Sequence, residues 1–562
     1  MPTLVCIPIM VHDAAEALAD ADQARLAGAD LVEYRIDECF AGEGDEAGEA
    51  LVRCIVRESP LPCIVTCRAA AEGGGYTGGE DARVSLYEGL CVGQDGAHGV
   101  PRYIDIEASA YFRSANIRQK VNLAVRHPEQ LRDLSTDLIL SMHDFAGRPV
   151  DLARRVSKMT DEHAAAVLKV AYRARSLRDS LELLDLPALT ARPTIALGMG
   201  EFGLVSRILA PKFGGFLTFA ALRSGASTAP GQPTIAELFG QYRFRSIGAK
   251  TAVYGVAGWP VGHSMSPLVH NAGFEAEGVD AVYLPLPIAA DADAEASYLS
   301  FKATMLELVH HPRLTFHGCS VTLPHKEHLV RLAREAGWRV PQAVLAVGAA
   351  NTLLLTRDGG DELKDASIID TDGPALRDCI AAVAGVLAGK RIALIGAGGV
   401  ARSAAAALVG AGCHVMIFNR DARRADQLVE AVSGAPQADS ALRSLWGRVV
   451  AEPWSSLDRC ACDAVVNCTP VGMKGGPDPR GVIAPLEPMR AASPGLIVMD
   501  TVYNPVETPL LKAARAMGLR TIDGASMFVA QAAAQFAAWT GKTPAAGLFD
   551  RLVRERLGHA GQ

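Results

Sequence analysis

An apolar, β-branched stretch recurs eight times before residue 245, at a spacing of roughly 30 residues. The stretches are Thr3–Ile9, Leu31–Asp37, Pro62–Arg68, Tyr103–Ser109, Asp137–Phe145, Ala165–Tyr172, Pro193–Met199 and Phe216–Leu222. Amphipathic segments such as Ala14–Ala19 and Asp151–Val156 lie between most of them. About eight βα repeats in about 250 residues is the arithmetic of an α/β fold of the (β/α)8 TIM-barrel type.

Parity within the strands says where polar groups must go. In Leu31–Asp37, Glu33, Arg35 and Asp37 fall on one face, and Val32, Tyr34 and Ile36 on the other. A barrel strand needs its outer face apolar to meet the helices, so the charged set points into the barrel mouth. Tyr103–Glu107 repeats the pattern, and Arg68 closes the third strand. Acids and arginines on several strand ends suit a site for an anionic ligand. Lys169 sits mid-strand in the apolar Ala165–Ala171. Loss of hydration there favours the neutral amine, a nucleophile that can condense with a ketone; a structural lysine that snorkels to water is the other reading. His143, in Ser141-Met142-His143-Asp144-Phe145, ends the preceding strand and is a candidate general acid/base.

Glu33–Asp37, Thr66-Cys67-Arg68, Ser141–Phe145, Lys169 and Ala229-Pro230-Gly231-Gln232 together resemble type I 3-dehydroquinate dehydratase. The resemblance covers almost all of residues 1–245. It implies Lys169 as the imine-forming lysine and His143 as the proton shuttle, with no prosthetic group. It implies that Glu33, Arg35, Arg68, Glu72, Arg207, Thr228 and Gln232 hold the substrate. Thr228 stands where the family usually carries serine, in a Gly/Ser/Thr/Pro-rich loop suited to a mobile lid.

Near residue 245 the sequence starts over. A polar connector, Arg245–Lys250, precedes a new apolar strand at Thr251–Val256. Further on, Lys390–Ala401 reads as a strand, a G-x-G-x-x-A turn (Gly396, Ala397, Gly398, Gly399, Val400, Ala401) and an alanine-rich helix. Such glycines let backbone N–H groups approach a pyrophosphate at the helix N-terminus. The next strand, His414–Phe418, ends in Asn419-Arg420 rather than an acid, with Arg424 one turn on. That favours the 2′-phosphate of NADP(H) over NAD, although Asp421 stands beside them. Lys326 and Asp372 suit proton donation to a reduced carbonyl, with Ser264, Ser266, Thr322 and Asn351 orienting a polyol. Read singly, Lys326 could be a solvated helix start and Asp372 an N-cap.

These segments resemble shikimate dehydrogenase: Gly262–Pro267, Val321–Lys326, Gly348–Thr352, Thr371-Asp372-Gly373, Gly396–Gly399, Asn467–Met473, Asp500–Pro505 and Gly524–Gln531. The resemblance implies Lys326 and Asp372 as the catalytic pair. It implies Ser264, Ser266, Thr322, Asn351, Tyr503 and Gln531 as substrate ligands, and Thr469 beside the nucleotide. Ser320 replaces the asparagine that many bacterial members carry. The implied layout is a substrate lobe at 251–373, completed by about 524–558, and a Rossmann NADP-binding lobe at 374–523. The whole then reads as a bifunctional enzyme that dehydrates 3-dehydroquinate and reduces 3-dehydroshikimate to shikimate. Two alternatives remain: a second half that oxidises quinate or shikimate with NAD, and a non-catalytic quinate-sensing protein. Retention of Ser266 weighs against the first. Retention of Lys169, His143, Lys326 and Asp372 weighs against the second.

The formal charge of −7 gives no reason to expect nucleic acid or an anionic membrane as partner. No apolar run approaches the roughly 18 residues of a membrane span, and Met1–Cys6 has no basic leader, so a cytoplasmic protein is expected. The 12 cysteines are scattered, without a matched pair of pairs at zinc-site spacing, and read as reduced thiols. His310, His311 and His317 lack accompanying acids or cysteines and read as solvated loop or helix-end residues, not metal ligands. Oligomeric state is not written in the sequence.

Overall fold

The computed structural model describes residues 2–91, 99–128, 130–226, 228–229, 231–358, 362–433 and 447–559. The chain divides into two compact units, Met1–Thr251 and Ala252–Gln562.

The first unit is built on eight strands: β1 (Leu4–Met10), β2 (Leu31–Arg35), β3 (Cys63–Thr66), β4 (Tyr103–Glu107), β5 (Asp137–Asp144), β6 (Ala165–Arg173), β7 (Thr194–Met199) and β8 (Leu217–Phe219). They pair in parallel in the order β7-β6-β5-β4-β3-β2-β1-β8. A backbone bond from Phe216 N to Thr194 O (2.9 Å) bridges the remaining gap, so the barrel is nearly closed. The eighth strand is only three residues long, shorter than its apolar run suggested. The chain leaves β4 at Glu107 for the helix Ala108–Tyr111, so Ser109 lies beyond the strand.

The inward rows change character along their length. Near the strand N-termini, Leu31, Ile64, Tyr103, Ile139, Val167, Ile195 and Leu217 form an apolar plug. Two residues later the same rows carry Glu33, Thr66, Asp105, Ser141 and Lys169, all buried. The outward Val32, Tyr34 and Ile36 are also fully buried, beneath the surrounding helices. A period of two therefore yields a packed floor and a polar mouth from one set of strands.

The segment 245–251 is not a free linker. Arg245 Nη2 lies 2.8 Å from Asp30 Oδ2, and the buried Lys212 donates to Ala249 O at 2.8 Å and Thr251 O at 2.9 Å. Side chains of the barrel thus clasp a stretch whose composition suggested a connector.

The second unit holds two sheets. The first runs β10 (Ala281–Pro287), β9 (Ala252–Gly258), β11 (Phe316–Val321), β12 (Thr352–Arg357), β13 (Leu363–Ile369). Its β10-β9-β11 part is parallel, and β12 and β13 are antiparallel additions. The second is fully parallel, with β16 (Arg448–Glu452), β15 (His414–Phe418), β14 (Arg391–Ile395), β17 (Ala464–Asn467), β18 (Ile497–Asp500) and β19 (Arg520–Ile522) in that order. Taken in chain order this is 3-2-1-4-5-6, the doubly wound arrangement whose switch point lies between β14 and β17. Residues 434–446, inside the region assigned to the Rossmann lobe, lie outside the described residues.

The helix Gly524–Thr540 returns to the first sheet. Gln535 Nε2 donates to Thr352 Oγ1 (2.9 Å), and Trp539 Nε1 to Leu353 O (3.0 Å). Packed beneath it, His270 is fully buried against Tyr283 (4.5 Å between ring centres) and Trp539 (5.2 Å). Neither of its ring nitrogens has a hydrogen-bond partner among the described residues. Burial lowers its pKa to about 3.

His311 departs from the expectation of a solvated histidine. It is buried just past the helix Ala294–His310, where its Nδ1 accepts from Arg313 N at 3.3 Å. All 12 cysteines are free thiols. Among the described residues no helix is long and apolar enough to cross a membrane, and no group of His, Cys, Asp or Glu is placed to hold a metal ion.

Candidate active sites

At the barrel mouth Lys169 is not stranded among apolar groups. Its Nζ lies 3.1 Å from Glu33 Oε1 and 2.9 Å from Asp105 Oδ2, above the Phe219 ring. Its sequence neighbours are apolar, but its spatial neighbours come from β2 and β4 and carry charge. Arg68 bonds Asp105 Oδ1 (2.9 Å), Glu107 Oε1 (3.1 Å) and Ser141 Oγ (2.9 Å). Ser141 in turn donates to Asp105 Oδ1 at 2.5 Å. Asp105 lies well below the usual carboxylate range: burial opposes ionisation, but Arg68 and Lys169 outweigh it. Arg35 forms a two-pronged pair with the buried Asp37, at 2.8 and 3.0 Å.

His143 emerges one β repeat above Ser141. Its Nδ1 is 3.2 Å from Glu72 Oε2, and its backbone N donates to the same oxygen at 3.0 Å. Ser109 Oγ holds the other Glu72 oxygen at 2.6 Å. Burial, then the nearby Arg68 and Lys169, push the imidazole pKa well below its ordinary value, so the ring is neutral at pH 7. Burial moves Glu72 upward.

Arg207 differs from the other arginines of the mouth. It is 2% exposed, and its Nε and Nη1 have no hydrogen-bond partner among the described residues. Burial alone lowers its pKa to about 10. An unpaired buried guanidinium is costly unless an anion completes it. In the neighbouring loop Thr228 N donates to Gln232 Oε1 at 3.1 Å; Pro230 of that motif lies outside the described residues.

In the second unit Lys326 begins the helix Lys326–Glu335, and its Nζ lies 2.5 Å from Asp372 Oδ2. Asp372 opens the helix Asp372–Ala384, where a carboxylate is favoured by the N-terminal dipole. Buried Asn351 spans Thr371, donating to its Oγ1 and accepting from its N, both at 2.9 Å. Gln531 approaches Thr371 Oγ1 at 3.5 Å. Ser266 is buried at a helix start beside Ser264, whose Oγ accepts from Ser266 N at 3.2 Å. Thr322 follows β11, its N bonded to Ala257 O. Tyr503 packs against Phe528 with ring centres 5.2 Å apart and the planes tilted by 36°.

Beyond β14, Gly396 has φ of 116°, and a Cβ there would approach Thr469 Cγ2 to 3.1 Å and Cys468 O to 3.2 Å. This turn requires glycine. A Cβ on Gly398 would meet nothing within 4 Å, which leaves open space at the start of the helix Gly399–Gly410. Ala397 and Ala401 pack into the core, with Val400 against it. Thr469 is tied to Asn467 Oδ1 at 2.7 Å. Asn419 donates to Asp421 O, while exposed Arg420 and Arg424 flank the strand end. The Asp421 carboxylate accepts from Arg423 N at 3.0 Å and is thereby turned to the helix start.

Sequence reasoning named Asp105 and Glu107 only as part of an alternating strand and gave Ser141 no role. It gave Asp370 no role beside Asp372 and passed over Tyr283 and Gln535. The parity that exposed Glu33 would also have found Asp105; nothing local distinguishes Gln535, which acts across 215 residues on Ser320.

Four family descriptions match along the chain: type I 3-dehydroquinase at residues 5–249, the shikimate dehydrogenase substrate binding domain at 256–353, shikimate/quinate 5-dehydrogenase at 379–450, and the shikimate 5′-dehydrogenase C-terminal domain at 524–554. Over 557 residues the chain is 32% identical to the chloroplastic bifunctional 3-dehydroquinate dehydratase/shikimate dehydrogenase of Arabidopsis thaliana, covering 96% of this chain and 82% of that protein. The chain belongs to this bifunctional family. The dehydrogenase half is also 40% identical over 312 residues to the NADP(+) shikimate dehydrogenase of Gluconobacter oxydans, covering 55% of this chain and 97% of that one. A crystal structure of shikimate 5-dehydrogenase from Thermus thermophilus with NADP(H) and shikimate is 27% identical, covers 54% of this chain and 99% of its own, and has a TM-score of 0.41. The bifunctional family's two activities thus correspond to the two units described above.

Proposed function

We propose that the barrel dehydrates 3-dehydroquinate to 3-dehydroshikimate and that the second unit reduces this product to shikimate with NADPH. The reading is supported above all by one arrangement: a buried lysine between two carboxylates, with Arg207 in the same barrel, its Nε and Nη1 without a hydrogen-bond partner among the described residues. It suits a substrate with both a ketone and a carboxylate.

In this reading Lys169 lends a proton to its ion-pair partner Glu33, adds as the free amine to the ketone carbon and, as the carbonyl oxygen leaves as water carrying that proton away, forms an iminium ion that the ionised Asp105 faces. The iminium withdraws electrons from the adjacent carbon, whose proton passes to His143. The bond to the neighbouring hydroxyl breaks, and His143 returns a proton to the departing water. Hydrolysis of the imine frees the product and Lys169. Glu72 accepts from Nδ1–H and leaves Nε2 to carry the proton. Arg207 takes the substrate carboxylate, while Arg35, Arg68, Thr228 and Gln232 line the pocket and its lid.

In the second unit the glycine turn, the open helix start and Arg420 fit an NADP(H) molecule; Asp421 accepts from Arg423 N through Oδ1, and its Oδ2 lies 3.9 Å from Arg424 Nε. The bound cofactor supplies hydride. Lys326 donates a proton to the carbonyl oxygen, Asp372 orients it, and Ser264, Ser266, Thr322, Asn351, Tyr503 and Gln531 hold the ring substituents and carboxylate. Gly396–Ala401 and Thr469 seat the pyrophosphate, with Asn419, Arg420 and Arg424 toward the 2′-phosphate. A cytoplasmic location accompanies this reading.

Borohydride added with 3-dehydroquinate is expected to leave a covalent adduct on Lys169, found by peptide mass spectrometry; an unmodified Lys169 in turning-over enzyme would sink the imine route. Arg420→Ala is expected to raise KM for NADPH roughly tenfold with little effect on NADH. Equal effects on both cofactors would remove Arg420 from the 2′-phosphate site.

A further inference from the structure

The end of β13 carries a second carboxylate next to the Lys326–Asp372 pair. Asp370 Oδ2 accepts from Ser403 Oγ and from Gly373 N, the latter at 3.2 Å. Ser403 belongs to Gly399–Gly410, the helix that follows the glycine turn. The fit is close: a Cβ on Gly373 would come 2.4 Å from Ser403 O. At the start of the same helix, a Cβ on Gly399 would lie 3.4 Å from Lys326 Cδ. One carboxyl group therefore touches the nucleotide helix and stands two residues from Asp372.

We propose that Asp370 is a positioning residue of the dehydrogenase site: it fastens the turn between β13 and the helix opened by Asp372 to the nucleotide helix through Ser403, and its negative charge helps hold the proton on Lys326. The inference rests on the assignment of Lys326 and Asp372 made above. The charged groups facing Asp370 are Asp372, on the helix that follows it, and Lys326, from Lys326–Glu335. Gly399–Gly410 presents the uncharged Ser403, and its neighbour Arg402 is directed to Glu327, 3.9 Å away. Burial and the charge of Asp372 push the Asp370 carboxyl up to about 6. It is accordingly ionised above neutral pH, and removing its charge removes a field that favours the ammonium form of Lys326.

The test is competitive acetylation of Lys326 across pH in the cofactor-free full chain, read by peptide mass spectrometry. Asp370→Asn keeps the volume and an acceptor for Ser403 and Gly373 N while removing the charge. The pH of half-maximal labelling is expected to fall by on the order of one unit. The alkaline limb of kcat/KM for NADPH-dependent reduction should fall with it. Asp370→Ser, the second neutral variant, is expected to behave alike, and Asp370→Glu to stay near wild type. A labelling curve of either folded neutral variant superimposed on wild type would overturn the proposal. So would failure of both neutral variants to fold, which would make the carboxylate a structural group. A labelling shift in a chain whose wild type does not turn over shikimate would leave this inference standing and sink the assigned activity instead.

Discussion

At the scale of single residues, Arg207 sets stability against binding. Its guanidinium is buried without a counter-ion among the described residues, so Arg207→Met is expected to stabilise the ligand-free barrel by about 1–3 kcal/mol. The same change should raise KM for 3-dehydroquinate about a hundredfold. Urea unfolding of the variant without ligand, beside its steady-state kinetics, checks both halves. His270 makes a second case. Its folded pKa of about 3 lies below the unfolded value of about 6.5, so only the unfolded chain takes up this proton between those values. The group's contribution is therefore intact above pH 6.5 and declines as pH falls; at pH 5 the loss is about 2 kcal/mol. His270→Phe, among aromatic neighbours and with no hydrogen bond to lose, should be less acid-sensitive than wild type by that amount between pH 7 and pH 5. Placement in the barrel mouth was legible in the sequence where it follows from parity within a strand, as for Glu33 or Lys169. Lys169 also marks the limit: its flanking residues implied an apolar setting, whereas Glu33 and Asp105 reach it from 136 and 64 residues away.

At the scale of elements, alternation carried most of the information. A period of two requires that inward rows be separated from outward ones, and the barrel strands follow that separation closely. Their ends were harder to read, because an apolar run does not say where a helix captures the chain. Ser109 and the short β8 are examples. How firmly the segment 245–251 is held was not legible for a related reason. Polar composition suggests a tether, but the carbonyls of Ala249 and Thr251 are acceptors for a buried lysine brought from residue 212. A barrel fragment ending at Thr251 is therefore expected to exceed one ending at Arg245 in stability by about 1–3 kcal/mol. Comparative urea unfolding of the two fragments measures the difference, and equal midpoints would return the segment to the status of a linker.

At the scale of the whole molecule, each set of site residues is drawn from one unit only. A chain carrying Lys169→Ala and another carrying Lys326→Ala, each unable to make shikimate alone, should together convert 3-dehydroquinate and NADPH to shikimate. Failure of the mixture in a coupled assay, with each surviving activity intact, would mean that the intermediate does not pass between chains. The two units also differ in the order in which a ribosome would supply their parts. The barrel is complete once residue 251 has appeared. The sheet of β9–β13 is not finished when its last strand ends at Ile369, because Ser320 and Thr352 take their partner from Gln535 in the helix Gly524–Thr540. The doubly wound sheet is synthesised in the interval. During translation the first unit can close while the second still waits, its polar core open to water until the chain is nearly made.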